Sequence, residues 1–195
     1  MKKILLTFAV VLGMAMTAQA QHELGGIVGG MNGLSYKYWF NDALALQADL
    51  GVGLTCTRGS LHTQNYTSEV YQASGWDFIL NPNVLYHFEL PANLKLYVGG
   101  GLNIGMLSLM SVWVNNVAYT ASGTGYDKIL GKFGINAALG LSYDFDAAPL
   151  VLAFDFRPGY GLGFHGEEKG AYYTMPGYQV NYFDWKLGVA LRYKF

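Results

Sequence analysis

Charged side chains recur at alternate positions of otherwise apolar segments: Lys37, Asp49, Asp77, Lys95, Lys132, Asp144, Asp155, Arg157, Asp184, Lys186, Arg192 and Lys194. An isolated ion out of water is costly, so charges of both signs gathered on one face point to matched pairs in a confined space. Lys37, Asp49, Asp155, Arg157, Asp184, Lys186 and Arg192 form the candidate interior network, with Asp155 and Arg157 placed to pair with Asp184 and Lys186 on the next segment. Such a set either plugs an interior or lines a narrow polar path for small solutes or ions.

Other chemistry finds less support. The histidines are His22, His62, His87 and His165, and none has a serine two residues after it. His62 with Ser60 comes closest, with no acid beside it, whereas a nucleophile, its base and an orienting group must lie within hydrogen-bond reach. No catalytic residue is therefore assigned. His165, Glu167 and Glu168 read as a hydrated acidic loop tip rather than a metal site, which needs more ligands at fixed spacing. The strings Gly99-Gly100-Gly101 and Gly159, Gly161, Gly163 precede no helix, so they read as interior space-makers rather than phosphate loops, and no cofactor is expected. The lone Cys56 has no internal partner, and the absence of a basic run argues against nucleic acid. Trp113, Tyr126, Tyr172 and Tyr173 lie among Ser, Thr, Gly and Asn, a setting that suits an adaptable binding surface and equally suits loop packing.

The elements that carry these residues alternate with period two. From Phe183 to Phe195 every odd position is apolar, while the even ones are Asp184, Lys186, Gly188, Ala190, Arg192 and Lys194. Side chains alternate faces along a strand, so this segment has one greasy face and one charged or minimal face. The same split marks Ala43 to Thr55, Trp76 to Phe88, Leu94 to Met106, Ile129 to Phe145 and Leu150 to Leu162. Each reaches the roughly 9–11 residues that a tilted membrane-spanning strand needs. Asn32-Gly33 reads as a two-residue turn joining Leu24–Met31 to Leu34–Phe40, with the facing of the first strand blurred by Gly25, Gly26, Gly29 and Gly30.

Short links at Asn41-Asp42, Pro91 to Asn93 and Asp146 to Pro149 alternate with long ones at Arg58 to Gly75, Trp113 to Lys128 and Phe164 to Gln179. Residues 1–20 read as a cleaved export signal: Lys2 and Lys3, an apolar run from Ile4 to Met16, then Ala18-Gln19-Ala20. Residues 21–195 then form one domain. The 26 glycines, 15 Tyr, 11 Phe and 4 Trp of the full chain, with only 13% charged residues, suit a membrane protein that crosses with strands. The fold class expected is all-β, an eight-stranded antiparallel up-and-down transmembrane barrel.

Asn32-Gly33-Leu34-Ser35-Tyr36-Lys37-Tyr38-Trp39-Phe40 and Phe154-Asp155-Phe156-Arg157-Pro158 resemble the bacterial outer membrane protein beta-barrel domain family, small barrels of the outer-membrane protein A and X type. The resemblance implies a cell outer membrane location, contact with its lipid and, for most members, no assigned chemistry. Leu191-Arg192-Tyr193-Lys194-Phe195 is similar to the segment by which the barrel assembly machinery recognises its clients, with Phe195 as the terminal signal. Short links are expected in the periplasm and long ones outside. A non-enzymatic protein, structural or presenting surface loops to a ligand or protein partner, is the first reading. A narrow pore for small solutes or ions is the second, and a lipid-modifying enzyme the third.

Overall fold

The structure, a computed structural model, describes residues 21–63, 66–114, 117–120, 129–166, 168–169, 174–175 and 178–195. The export signal read over 1–20 lies outside the described residues. The strands are β1 (His22–Gly29), β2 (Met31–Trp39), β3 (Leu44–Thr63), β4 (Tyr66–Leu90), β5 (Leu94–Val114), β6 (Val117–Thr120), β7 (Ile129–Asp144), β8 (Leu150–His165), β9 (Glu168–Lys169), β10 (Thr174–Met175) and β11 (Tyr178–Lys194). Antiparallel pairing runs β1–β2–β3–β4–β5–β7–β8–β11, and β11 pairs back onto β1 from Glu23↔Lys194 to Gly29↔Gly188. Eight strands therefore close into a ring, which leaves no edge among them to template aggregation. β6 folds back on β5, and β9 pairs with β10.

Facing follows the alternation. Leu187, Leu191, Phe154 and Leu139 are 40–50% exposed, while Arg157 is 6% and Lys186 9% exposed. A water-soluble fold would reverse these values, because exposing whole rows of Leu and aromatic side chains to water is costly. At about 3.3 Å per residue and a tilt of about 40°, the stretch from Phe183 to Tyr193 spans about 25 Å along the barrel axis, the height of the lipid-facing band in such barrels. Aromatic pairs mark its rim at the short-turn end: Tyr38 with Phe40, Tyr86 with Phe88 and Tyr143 with Phe145, each edge-to-face at 5.0–5.1 Å between centroids. Exposed Trp76, Tyr160, Phe183 and Trp185 lie toward the opposite, long-loop end. The blurred first strand resolves as Glu23, Ile27 and Met31 inward, with Leu24 and Val28 outward.

Two expectations need correction. The turn between β1 and β2 is not at Asn32-Gly33 but around Gly30, since Ile27 pairs with Gly33 and both Asn32 and Gly33 are already paired to Val52 and Gly51 of β3. Asn32 serves the turn from outside it: its side chain accepts from the Gly29 amide and donates to the Gly29 carbonyl, both at 3.2 Å. Gly29 at φ 131° takes the left-handed conformation that other residues resist. Second, the stretch Arg58 to Gly75 is mostly strand, with β3 and β4 paired as far as Thr63↔Tyr66.

This long hairpin and the short first one change the ring along its length. Beyond the tip at Gly30, β11 pairs directly with β3 at Tyr178↔Thr63, Gln179↔His62, Val180↔Leu61 and Phe183↔Arg58. The wall thus passes from eight strands to six (β3, β4, β5, β7, β8 and β11) at the long-loop end.

Two prolines interrupt the ladders at mid-height. Pro82 has no amide proton for β5, and the register skips from Leu80↔Ile104 to Asn83↔Gly101. Pro158 does the same to β7, where pairing skips from Asn136↔Gly159 to Leu139↔Phe156. An orphan carbonyl surrounded by hydrocarbon is expensive. Neighbouring asparagines supply the missing donors: Asn81 Nδ2 lies 2.7 Å from the Leu102 carbonyl, and Asn136 Nδ2 lies 3.1 Å from that of Ala137.

Candidate functional site in the barrel interior

Inward positions of the strands bring the charges together in three tiers. Nearest the long-loop end, Lys132 on β7 reaches Asp77 on β4 at 2.6 Å and Asp184 on β11 at 2.8 Å. Lys186 meets the same Asp77 at 3.0 Å. In the middle tier Arg157 on β8 crosses the bore to Asp49 on β3 at 2.5 Å, holds Asp155 at 3.0 Å, and donates to Asn81 Oδ1 at 2.6 Å. Asn81, Asn83, Asn103 and Asn136 bond to one another at 2.6–2.9 Å around this guanidinium. Gln47 donates to Asp49 at 2.9 Å.

The third tier lies toward the short turns. Arg192 Nε donates to Ser35 Oγ at 2.8 Å, and its terminal nitrogens stand 3.7 Å from Glu23 and from Asp155. Tyr97 donates its hydroxyl to Asp155 at 2.8 Å, and the Trp39 indole donates to Glu23 at 2.7 Å. Lys37 lies 3.2 Å from His87 Nε2 and over the faces of Tyr97 and Trp39, at 4.9 and 5.4 Å from their centroids. At the rim Asp144 bridges Lys194 at 2.7 Å and Lys95 at 3.4 Å, both half-open to solvent and of correspondingly small worth.

Among the described residues the buried carboxylates are Glu23, Asp49, Asp77, Asp155 and Asp184, and the buried lysines and arginines Lys37, Lys132, Arg157, Lys186 and Arg192. The signs balance one for one, the condition for keeping ions out of water without net self-repulsion. A small cavity of about 10 Å³, room for about one water, is lined by Ile27, Met31 and Ile79 together with the polar Asn103, Arg157 and Asp184.

The structure places Lys37, Asp49, Asp155, Arg157, Asp184, Lys186 and Arg192 all in the interior, but Asp155 and Arg157 do not pair with Asp184 and Lys186 as expected. The register sets Arg157 opposite Lys186 and puts glycines, Gly188 and Gly159, opposite the two acids. Like charges on neighbouring strands therefore turn across the bore, Arg157 to Asp49 and Lys186 to Asp77. Sequence reasoning missed Glu23, because the glycines around it hide its parity, and missed the asparagines, whose inward parity was legible but whose task as proline patches was not. Of the loop residues, Trp113 lies on β5 with its side chain outside what the structure describes, and Tyr126, Tyr172 and Tyr173 lie outside the described residues. Phe195 stacks on His22 at 5.8 Å and donates its amide to the His22 carbonyl at 3.0 Å. His22 meets the Tyr36 hydroxyl at 2.7 Å and His87 meets Lys37, so neither addresses a serine and a carboxylate together. His165 ends β8, 3.3 Å from the Ile129 carbonyl, while Glu167 lies outside the described residues.

A closed ring of eight antiparallel strands with a lipid-compatible exterior and an ion-paired interior has the architecture of a small transmembrane β-barrel. Similar solved structures include the N-terminal β-barrel domain of OprF from Pseudomonas aeruginosa, 16% identical over 89% of this chain and 95% of that one, with a TM-score of 0.49. Neisserial surface protein A is 15% identical over 89% of this chain and 93% of that one, with a TM-score of 0.45. Outer membrane protein W of E. coli is 15% identical over 92% of this chain and 100% of that one, with a TM-score of 0.42. No family model matches the chain. No curated protein matches it.

Proposed function

We propose that this chain is a non-enzymatic protein of the cell outer membrane, a closed barrel that anchors the structures at its long-loop end and stiffens the membrane around it. The short turns face the periplasm, the long connections face outward, and Phe195 serves the assembly machinery that inserts the barrel. Surface polysaccharide or a protein partner would meet the outer connections.

One observation carries the reading. Arg157 and Lys132 are crossbars that tie opposite walls, Arg157 joining β8 to Asp49 on β3, and Lys132 joining Asp77 on β4 to Asp184 on β11. A solute-sized path does not coexist with side chains bonded across the bore, and eight strands enclose only enough room for side chains to fill. The test is the refolded protein in lipid vesicles, assayed for potassium efflux and for new lipid species. No flux and unchanged lipids are expected. Sustained efflux would replace the closed anchor by the pore reading, and modified lipids would replace it by an enzyme.

A further inference from the structure

The charge tiers block solutes, yet they make a poor seal against water and protons. Arg192 stands 3.7 Å from both Glu23 and Asp155, too far for direct hydrogen bonds. Its terminal nitrogens, Glu23 Oε2 and Asp155 Oδ2 are buried without a hydrogen-bond partner among the described residues, groups that ordered water satisfies. Beyond the loop-end tier the interior changes character. Leu107, Leu130, Val180 and Tyr182 occupy inward positions of β5, β7 and β11, and each is 0% exposed. Leu107 and Leu130 are register partners, and Val180 pairs with Gly163 of β8. A methyl group built at Gly163 would lie 3.2 Å from Leu130 and 3.6 Å from Leu107, so the glycine leaves the room these side chains fill. Gly134 and Gly161 do the same for Tyr182, whose hydroxyl would lie 2.9 and 2.5 Å from their added methyls. Lys132 sits 4.6 Å over the Tyr182 ring, where the charged interior meets the apolar layer.

The backbone narrows at the same end. Val180 belongs to the stretch where β11 pairs directly with β3, past the tip of the first hairpin, so the ring there has six strands. Bore diameter grows with strand number, and a ring of six is tighter than one that side chains already fill at eight. We propose that this neck of Leu107, Leu130, Val180 and Tyr182 is the permeability barrier of the barrel, a dry apolar seal against ions and protons, with the tiers beneath it hydrated from the short-turn side. Apolar constrictions exclude ions because water leaves them, and an ion must then shed its shell to pass. The inference rests on the closed-anchor reading and locates the closure.

The experiment compares wild type with Leu107→Asn and Leu130→Asn, which keep the branching and heavy-atom count of leucine while making the side chain polar, singly and together. Each refolded protein is checked for the gel shift on boiling that marks a folded barrel, then loaded into vesicles with a pH-sensitive dye and potassium. Wild type should be tight to both ions, and the folded double variant should raise proton leak by at least about tenfold. Folded variants as tight as wild type would overturn the neck while leaving the closed anchor standing. A leaky wild type would overturn both. Should the double variant fail to fold, Val180→Thr, which keeps the side-chain shape and adds one hydroxyl to the neck, reads the same leak: a rise supports the seal, and an unchanged rate in folded protein overturns it.

Discussion

Asn81 illustrates how a polar side chain in this barrel serves the backbone before it serves any solute. Pro82 withholds one ladder proton from the Leu102 carbonyl, and Asn81 supplies it while also accepting from Arg157. Leaving a buried acceptor unpaired costs about 1–3 kcal/mol. Asn81→Ala should therefore destabilise the barrel by at least that range, since it strips both the carbonyl and the guanidinium. Pro82→Ala restores an amide proton at the break, so in that background the same asparagine change should cost about 1 kcal/mol less. Equilibrium unfolding of the four proteins in vesicles measures the coupling. Strict additivity would mean that the amide contact does not substitute for the ladder bond. Pro158 with Asn136 repeats the arrangement on β7 and β8, where Asn136 also donates to Asn83, so the asparagine cluster and the two ladder breaks form one unit.

At the scale of elements, the first hairpin and the β3–β4 hairpin differ in length, and that difference shapes the outer end. Because β3 and β4 remain paired to Thr63↔Tyr66, their amides beyond Thr55 should exchange with deuterium slowly, at rates close to those of the membrane-embedded strands. Exchange as fast as in an open loop from residue 56 onward would show that the hairpin ends near the apolar band. The facing of β11, β8, β7 and β5 was legible in the sequence because lipid selects an unbroken apolar row, and one slipped residue would turn every side chain over. The extension of β3 was not, since past the hydrocarbon nothing forces alternation and strand and loop look alike. The turn was misplaced for a related reason. Asn-Gly is the strongest local hairpin signal, yet a barrel strand answers to two neighbours, and pairing of Gly33 with Gly51 outweighed the local preference. In the interior, charge type and parity were readable residue by residue, whereas the partners were set by the stagger between strands that lie far apart in the chain. Arg157 thus bonds to Asp49, which faces it across the bore, rather than to the acid two residues from its register partner.

For the molecule as a whole, the decisive property is inversion, with the rows that a soluble barrel would hide turned to the surface and balanced charge turned inward. Inversion makes the cost of an outward charge depend on depth. Val189, 43% exposed on the outer face of β11, lies near the middle of the apolar band, and Tyr193, 51% exposed on the same face, lies at its rim. An arginine near the bilayer midplane costs about 2–4 kcal/mol, falling to about 0–1 near the interface. Val189→Arg should therefore lower unfolding free energy in vesicles by several times the effect of Tyr193→Arg, where the guanidinium reaches headgroups. In detergent micelles, which adapt to a local charge more readily than a bilayer of fixed thickness, the gap between the two should shrink. Equal costs at both sites in vesicles would mean that no hydrocarbon gradient runs along β11. The exposed rows would then face water or another protein, and the membrane assignment, with the orientation and the sealed lumen built on it, would fail together.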